Sequence, residues 1–268
     1  EIILVDNQST DATVSIAKKY SAKIFTHPNN PLILNQSKNF GFTKATSNWI
    51  LSLDTDERVS PELADEIKAT ISRPSAISAY QFPRQNIIFG KWIEHGLWHP
   101  DYQVRLFKKD HGKFALKHNH EKLQVNGSIG DLAGHLIHYN YTAISQYVDK
   151  INHVYSDNEV INFLEAGKKI YWYDAIRMPC ADFLTNFFAR AAYKDGLHGL
   201  VLSLLQAFYT FVVFAKIWEK QNFFEFNQPN FVSQVSHEFH LKAKEFNYWS
   251  KKSSSSWVAK IIHSLRLR

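Results

Sequence analysis

Over its first 71 residues the chain alternates between short apolar runs and stretches that carry helix-start signals, and this order constrains the fold more than anything else in it. Glu1-Ile2-Ile3-Leu4-Val5 predicts a strand. Ser9-Thr10-Asp11 then supplies capping oxygens for a helix to about Tyr20. Residues 22–26 predict a second strand, and His27-Pro28-Asn29-Asn30-Pro31 a loop. A helix over 35–46 follows, then a strand over Trp49-Ile50-Leu51-Ser52-Leu53. Pro61 stands at the first turn of a helix reaching about Ile71. Such alternation predicts an α/β fold: a parallel sheet with helices on both faces.

The third apolar run ends on Asp54-Thr55-Asp56-Glu57. Ligands of open α/β folds bind at the carboxyl edge of the sheet, where these carboxylates would stand. Asp54 and Asp56 can hold a hard cation, Mg²⁺ or Mn²⁺, which can neutralise a diphosphate. An ordinary acidic turn before a helix is the plainer reading. At the tip of the first strand, Asp6 and Asn7 are candidates to contact a nucleotide. Helix capping explains Ser9 to Asp11 but leaves Asp6 without a role. Lys38, in Asn35-Gln36-Ser37-Lys38-Asn39-Phe40-Gly41, either meets a phosphate or is solvated surface.

Beyond residue 76 the pattern shifts to short strands over 77–83, 102–108, 120–125 and 135–140, and from Thr142 onward to helices. The 45% apolar content supplies a sizeable core and argues against global disorder. The single cysteine, Cys180, rules out an internal disulfide and a cysteine metal knuckle, and reads as a small buried apolar residue. No residue of 200–215 is charged, so this run forms a helix lying against a membrane, a buried core helix or a span, in that order of preference. From Leu241 to Arg268 seven basic residues face one acid, a surplus of six that equals the net charge of the whole chain. With Trp249, Trp257, Ile261, Ile262 and Leu265 interleaved, this tail suits an anionic membrane surface; a solvated tail is the alternative. No nucleic-acid-binding motif accompanies the charge, so nucleic acid is not an expected partner.

Val5-Asp6-Asn7-Gln8-Ser9-Thr10-Asp11, the helix around Lys38-Asn39-Phe40-Gly41 and the strand ending Asp54-Thr55-Asp56 resemble, in order and spacing, the family 2 glycosyltransferases. Lys38 stands where that helix often carries Arg. The resemblance implies a GT-A-like nucleotide-binding sheet with helices on both faces, followed by a helical C-terminal region. The family's usual opening strand would precede Glu1, so the chain looks amino-terminally shortened. Phe89-Gly90-Lys91-Trp92, His99-Pro100-Asp101, Val104-Arg105-Leu106-Phe107, Asn119-His120-Glu121, His138-Tyr139, Tyr147-Val148-Asp149-Lys150 and Lys194-Asp195-Gly196 narrow it. Together they are similar to a bacterial subgroup, the lipopolysaccharide-core β-glucosyltransferases that act on an inner-core heptose.

The resemblance implies a UDP-sugar donor, a glycolipid acceptor and inversion at the anomeric carbon by direct displacement. A carboxylate must then take the acceptor's proton. Glu121 is the first candidate and Asp101 the second, with a salt bridge from Glu121 to Arg105 as the structural alternative. His138 either joins Asp54 and Asp56 as a third metal ligand or is a hydrogen-bonded core residue. His118, His120 and His135 do not complete a zinc framework. The expected organisation is a catalytic domain over 1–140 (donor half to about 75, acceptor half to 140), a helical region over 141–222 with a membrane-associating helix, and a basic tail over 223–268. The expected location is peripheral, on the cytoplasmic face of a bacterial inner membrane. The competing functions are a polyprenyl-phosphate glycosyltransferase and a non-catalytic sugar-nucleotide-binding protein.

Overall fold

The computed structural model describes residues 1–30, 33, 35–116 and 121–266, with side chains except at 154 and 255–266. His118 and His120 lie outside the described residues, as do the side chains of Trp257, Lys260, Ile261, Ile262, Leu265, Arg266 and Arg268. The chain divides into two compact units, Glu1–Ile87 with Pro100–Asn140, and Ile88–His99 with Tyr141–Arg268.

In the first unit, β1 (Ile3–Asp6), α1 (Thr13–Lys19) and β2 (Lys23–Thr26) form a crossover whose two strands pair in parallel. Asp11 Oδ1 accepts the Thr13 N–H at 2.9 Å and so anchors the start of α1. Then come α2 (Asn35–Lys44), β3 (Trp49–Leu51), β4 (Glu57–Val59) and α3 (Pro61–Ile71). Ser60 caps α3 by accepting the Leu63 N–H at 3.2 Å, and Pro61 occupies the first turn, where its missing N–H costs nothing. The remaining strands are β5 (Ala79–Ile88), β6 (Lys91–Trp92), β7 (Tyr102–Lys108), β8 (Gly112–Lys113), β9 (Gln124–Val125), β10 (Ile129–Asp131) and β11 (Leu136–Tyr141).

The main sheet runs β3-β7-β5-β11-β4, with β10 and β6 also paired to β5. β3–β7, β7–β5 and β11–β4 are antiparallel, and parallel pairing among the described strands is found at β1–β2 and β10–β5. The parallel pairing expected from the alternation is therefore found in the first crossover, and in the main sheet at β10–β5. The later strands β7 and β11 return between the earlier ones and make the sheet mixed. Against β5 the register of β7 slips: Tyr80 faces Leu106 while Gln81 faces Val104, so Arg105 is a surplus residue in a β-bulge. Leu63 and Ile67 of α3 close one core with Tyr80, Phe82, Leu106 and Leu136, and Ala79, Phe107, Phe114 and Leu123 form another.

In the second unit Phe89 and Gly90, both at positive φ (51° and 79°), make the tight turn from β5 into β6. The helices are α4 (Ile144–Lys150), α5 (Ser156–Glu165), α6 (Asp174–Leu184), α7 (Leu197–Lys220) and α8 (Phe231–Arg266). The stretch read from sequence as a basic tail thus lies mostly within one long helix. Cys180 is half-buried rather than buried, and burial pushes its thiol up.

Candidate active site

The β7 bulge explains how a guanidinium reaches the interior of the first unit. Arg105 is buried, and its Nη2 lies 2.5 Å from Asp54 Oδ2 and 2.6 Å from Glu57 Oε1. Glu57 has no exposed side-chain surface, and its Oε2 accepts the Asp54 N–H at 2.9 Å. The second oxygen of Asp54 meets Lys38 Nζ at 2.5 Å, and the same ammonium sits 5.6 Å over the Phe114 ring. Arg84 on β5 extends the network, 3.3 Å from Glu57 and 2.7 Å from Asp101. Arg105 therefore serves Asp54 and Glu57, rather than the salt bridge to Glu121 that the sequence left open.

Burial alone would raise the Asp54 carboxyl, but the charges of Arg105 and Lys38 outweigh it and hold it down to about 2. A carboxyl whose folded pKa is depressed adds stability above its ordinary value near 3.9 and loses that stability as pH falls toward the folded value. The thermal midpoint should therefore fall between about pH 4 and pH 2. Asp54→Asn should flatten that fall, and equal slopes in both proteins would show that the pairing carries no stability.

Asp56 is the open carboxylate of the pair, its side chain 40% exposed. The antiparallel β11–β4 register sets His138 opposite Glu57, and His138 Nε2 stands 3.4 Å from Asp56 Oδ2. Burial pushes the Asp56 carboxyl up, but the hydrogen bond and charge of His138 bring it below the usual range. The other ring nitrogen, Nδ1, lies 2.7 Å from Asn86 Oδ1. Asn86 Nδ2 donates to Asp101 Oδ2 at 2.9 Å, which fixes the orientation of the amide. Asn86 Oδ1 thus requires a proton on Nδ1 of His138, and a neutral ring then presents its Nε2 lone pair to a carboxylate. Two acceptors facing each other need a cation between them, either a second ring proton or a metal ion.

These residues fit a divalent cation. His138 Nε2 and Asp56 Oδ2 are close enough to share one ion, with the ring oriented from behind as metal-ligating histidines commonly are. Both oxygens of Asp54 meet cations, Lys38 and Arg105, whereas Asp56 and His138 face each other without one among the described residues. Among the described residues no group of three His, Cys, Asp or Glu side chains is placed to hold a metal. One or two protein ligands completed by water and substrate phosphate is the usual Mg²⁺ arrangement.

Asp101, the second candidate for the base, has other work. It takes hydrogen bonds from Arg84 Nε (2.7 Å), Asn86 Nδ2 (2.9 Å) and Gln103 Nε2 (2.6 Å). Burial raises its carboxyl, and Arg84 with these donors brings it below the usual range. A carboxylate so held is a poor proton acceptor; Asp101 positions Asn86 and, through it, His138. Glu121 Oε2 accepts the Leu116 N–H at 2.8 Å. At the β1 tip the buried Asp6 caps its own turn, Oδ1 taking the Ser9 N–H at 3.2 Å. Asn7 Oδ1 accepts the Ser37 hydroxyl at 2.8 Å, tying that tip to the helix that carries Lys38. Glu57, Arg84, Asn86 and Gln103 were not among the sequence candidates. A polar pair at i and i+2, Arg84 and Asn86, on the strand face otherwise made of Tyr80, Phe82 and Ile88, was the available signal.

Residues 1–144 match the family model described as glycosyl transferase family 2. An uncharacterised glycosyltransferase of Rickettsia typhi is 32% identical over 230 residues, covering 82% of this chain and 78% of the relative. The lipopolysaccharide core biosynthesis glycosyltransferase LpsC of Rhizobium meliloti is 24% identical over 244 residues, 88% of each chain. Among solved structures, residues 1–349 of S. aureus TarS in complex with UDP align over 81% of this chain and 82% of that one. With a TM-score of 0.40 and 11% identity, that likeness carries nothing about donor or acceptor. With the family model spanning more than half of its length and such relatives along most of it, the chain belongs to glycosyltransferase family 2.

Proposed function

We propose that this enzyme moves a hexose, glucose in the first instance, from a UDP-sugar to a lipopolysaccharide-core or other cell-surface glycolipid. Transfer proceeds with inversion and requires Mg²⁺ or Mn²⁺, at an anionic membrane surface on the cytoplasmic face of the bacterial inner membrane. The observation that carries the donor half is the chain Asp101–Asn86–His138–Asp56, which aims a ring nitrogen and a carboxylate at one point. Lys38 and Arg105 place two further positive charges beside it. A cation bound at Asp56 and His138 would supply charge to the departing diphosphate. Glu121, one oxygen oriented by the Leu116 N–H, takes the proton of the acceptor hydroxyl as that oxygen attacks the anomeric carbon. The glycolipid acceptor is supported by the likeness to LpsC.

Removing the Asp56 carboxylate should abolish metal-dependent donor binding, whereas Asp54→Ala should weaken it by removing the carboxylate that holds Lys38 and Arg105 in position. Calorimetric titration of UDP in the presence of Mn²⁺ separates the two. Unchanged affinity in the Asp56→Ala protein would remove the metal from this reading.

A further inference from the structure

Helix α7 is apolar on both sides: it buries Leu202, Val213, Phe214 and Ile217 in the core, turns its hydrogen-bonding side chains toward its neighbours and leaves an apolar stripe exposed. Ser203, fully buried, donates to Gly199 O at 2.6 Å and accepts from Asn186 Nδ2 at 2.9 Å. Gln206 Nε2 donates to Asp182 Oδ2 of α6 at 3.2 Å, and the Thr210 hydroxyl bonds the same oxygen. At about 100° per residue these three side chains share one half of the helix. The other half presents Leu197, Leu204, Phe208, Phe211 and Trp218, exposed by 73, 53, 47, 43 and 38%. The half-buried Val201 and Ala215 fill the gaps, so every position of a 4-3-4-3 series is apolar. A helix bathed in water on its outer face carries its polar residues there. A helix in lipid turns its hydrogen-bonding side chains toward its neighbours and its apolar ones outward.

We infer that the Leu197–Trp218 face of α7 enters the hydrocarbon of an anionic bilayer with the helix axis in the membrane plane. The inference rests on the membrane-surface reading above and assigns the face that makes the contact. At about 1.5 Å per residue α7 is long enough to span a bilayer. Spanning would, however, draw in α6, joined to it through Asp182 and carrying Asp174 and Arg177 as well, at the cost of burying charges in lipid. Lying in the plane keeps these on the water side. Near Trp218 at one end of the stripe Lys216 is paired with Asp157, and Lys220 stands beside Glu219. The side chains described in α8 include Lys242, Lys244, Lys251 and Lys252 against Glu238 and Glu245. That surplus complements anionic headgroups, whereas a second copy of the chain would bring the same charge to the contact.

The test is co-sedimentation of the full chain with vesicles of phosphatidylethanolamine and phosphatidylglycerol, comparing the parent with Phe208→Gln/Phe211→Gln and with Leu204→Gln. All three positions are already exposed, so the variants should keep the parent's thermal midpoint. The double variant should lose vesicle binding by roughly 10-fold or more, and Leu204→Gln should lose less. Equal sedimentation of parent and double variant would overturn the assignment. So would a parent that is dimeric without lipid and a variant that is monomeric, since the stripe would then be a protein interface. Release of UDP from UDP-glucose by the same samples, with a glycolipid acceptor added, separates this from the proposed reaction. If turnover persists and neither protein binds vesicles, the membrane face falls and glycosyl transfer stands. Vesicle binding without turnover leaves the face standing and sinks the transfer reading.

Discussion

Glutamine in place of Glu121 is expected to leave UDP binding close to that of the parent and to cut turnover by roughly 10²–10⁴-fold, the usual contribution of a positioned base. The substitution keeps the size of the side chain and an oxygen that can accept the Leu116 N–H, but glutamine cannot take up a proton. Single-turnover rates with UDP-glucose and a glycolipid acceptor measure the loss directly. Asp101→Asn is the informative companion. It removes charge from a group that takes three hydrogen bonds and positions Asn86, so its effect should appear first in metal affinity. Should Glu121→Gln turn over normally while Asp101→Asn is dead with its metal affinity intact, the base is Asp101 and the positioning role assigned to it is wrong.

Arg105→Met should cost about 3–5 kcal/mol of folding free energy, the typical penalty for leaving a buried charge without its partner. Glu57 has no exposed side-chain surface and cannot recover a hydration shell; its other cation, Arg84, stands farther away at 3.3 Å. Urea unfolding measures the loss. The double variant Arg105→Met/Glu57→Leu should regain part of it, because an apolar pair of similar volume does not strand a charge. A single variant within about 0.5 kcal/mol of the parent, as surface substitutions typically are, would mean that Glu57 finds water or another cation.

Local chemistry was legible in the sequence and sheet register was not. Ser60 and Pro61 announce α3 because capping and a fixed φ act within one turn, and β7 emerged with both ends where its apolar run had placed them. β5 continues to Ile88, beyond the end expected at Pro83, because Pro83 sits opposite Tyr102, the first residue of β7. The mixed sheet escaped notice since β3 pairs with a strand far along the chain, a choice set by long-range burial. At the site, Asp54, Asp56, Lys38 and His138 could be picked out because motif order or a neighbouring carboxylate marks them. Arg84 and Asn86 acquire their roles from residues that only the register brings near, and Gln103 serves Asp101 two residues away without a motif to mark it. Asp6, a candidate for the nucleotide, also takes the backbone N–H of Ser9, a local contact that its place at the strand tip did not announce.

The surplus residue of β7 has a consequence for how this scaffold can change. Where two strands pair without interruption, side chains alternate strictly, and a cation can be brought inside only by displacing an apolar neighbour from the core face. Here Arg105, Leu106 and Phe107 are buried in succession, and the guanidinium costs the sheet no hydrophobic position. Shortening β7 by one residue at the bulge would give a more regular ladder while disconnecting Asp54 and Glu57 from their common partner. A search for sturdier versions of this chain that rewards only sheet regularity would thus select against the ion-pair network that holds the Asp54–Glu57 loop.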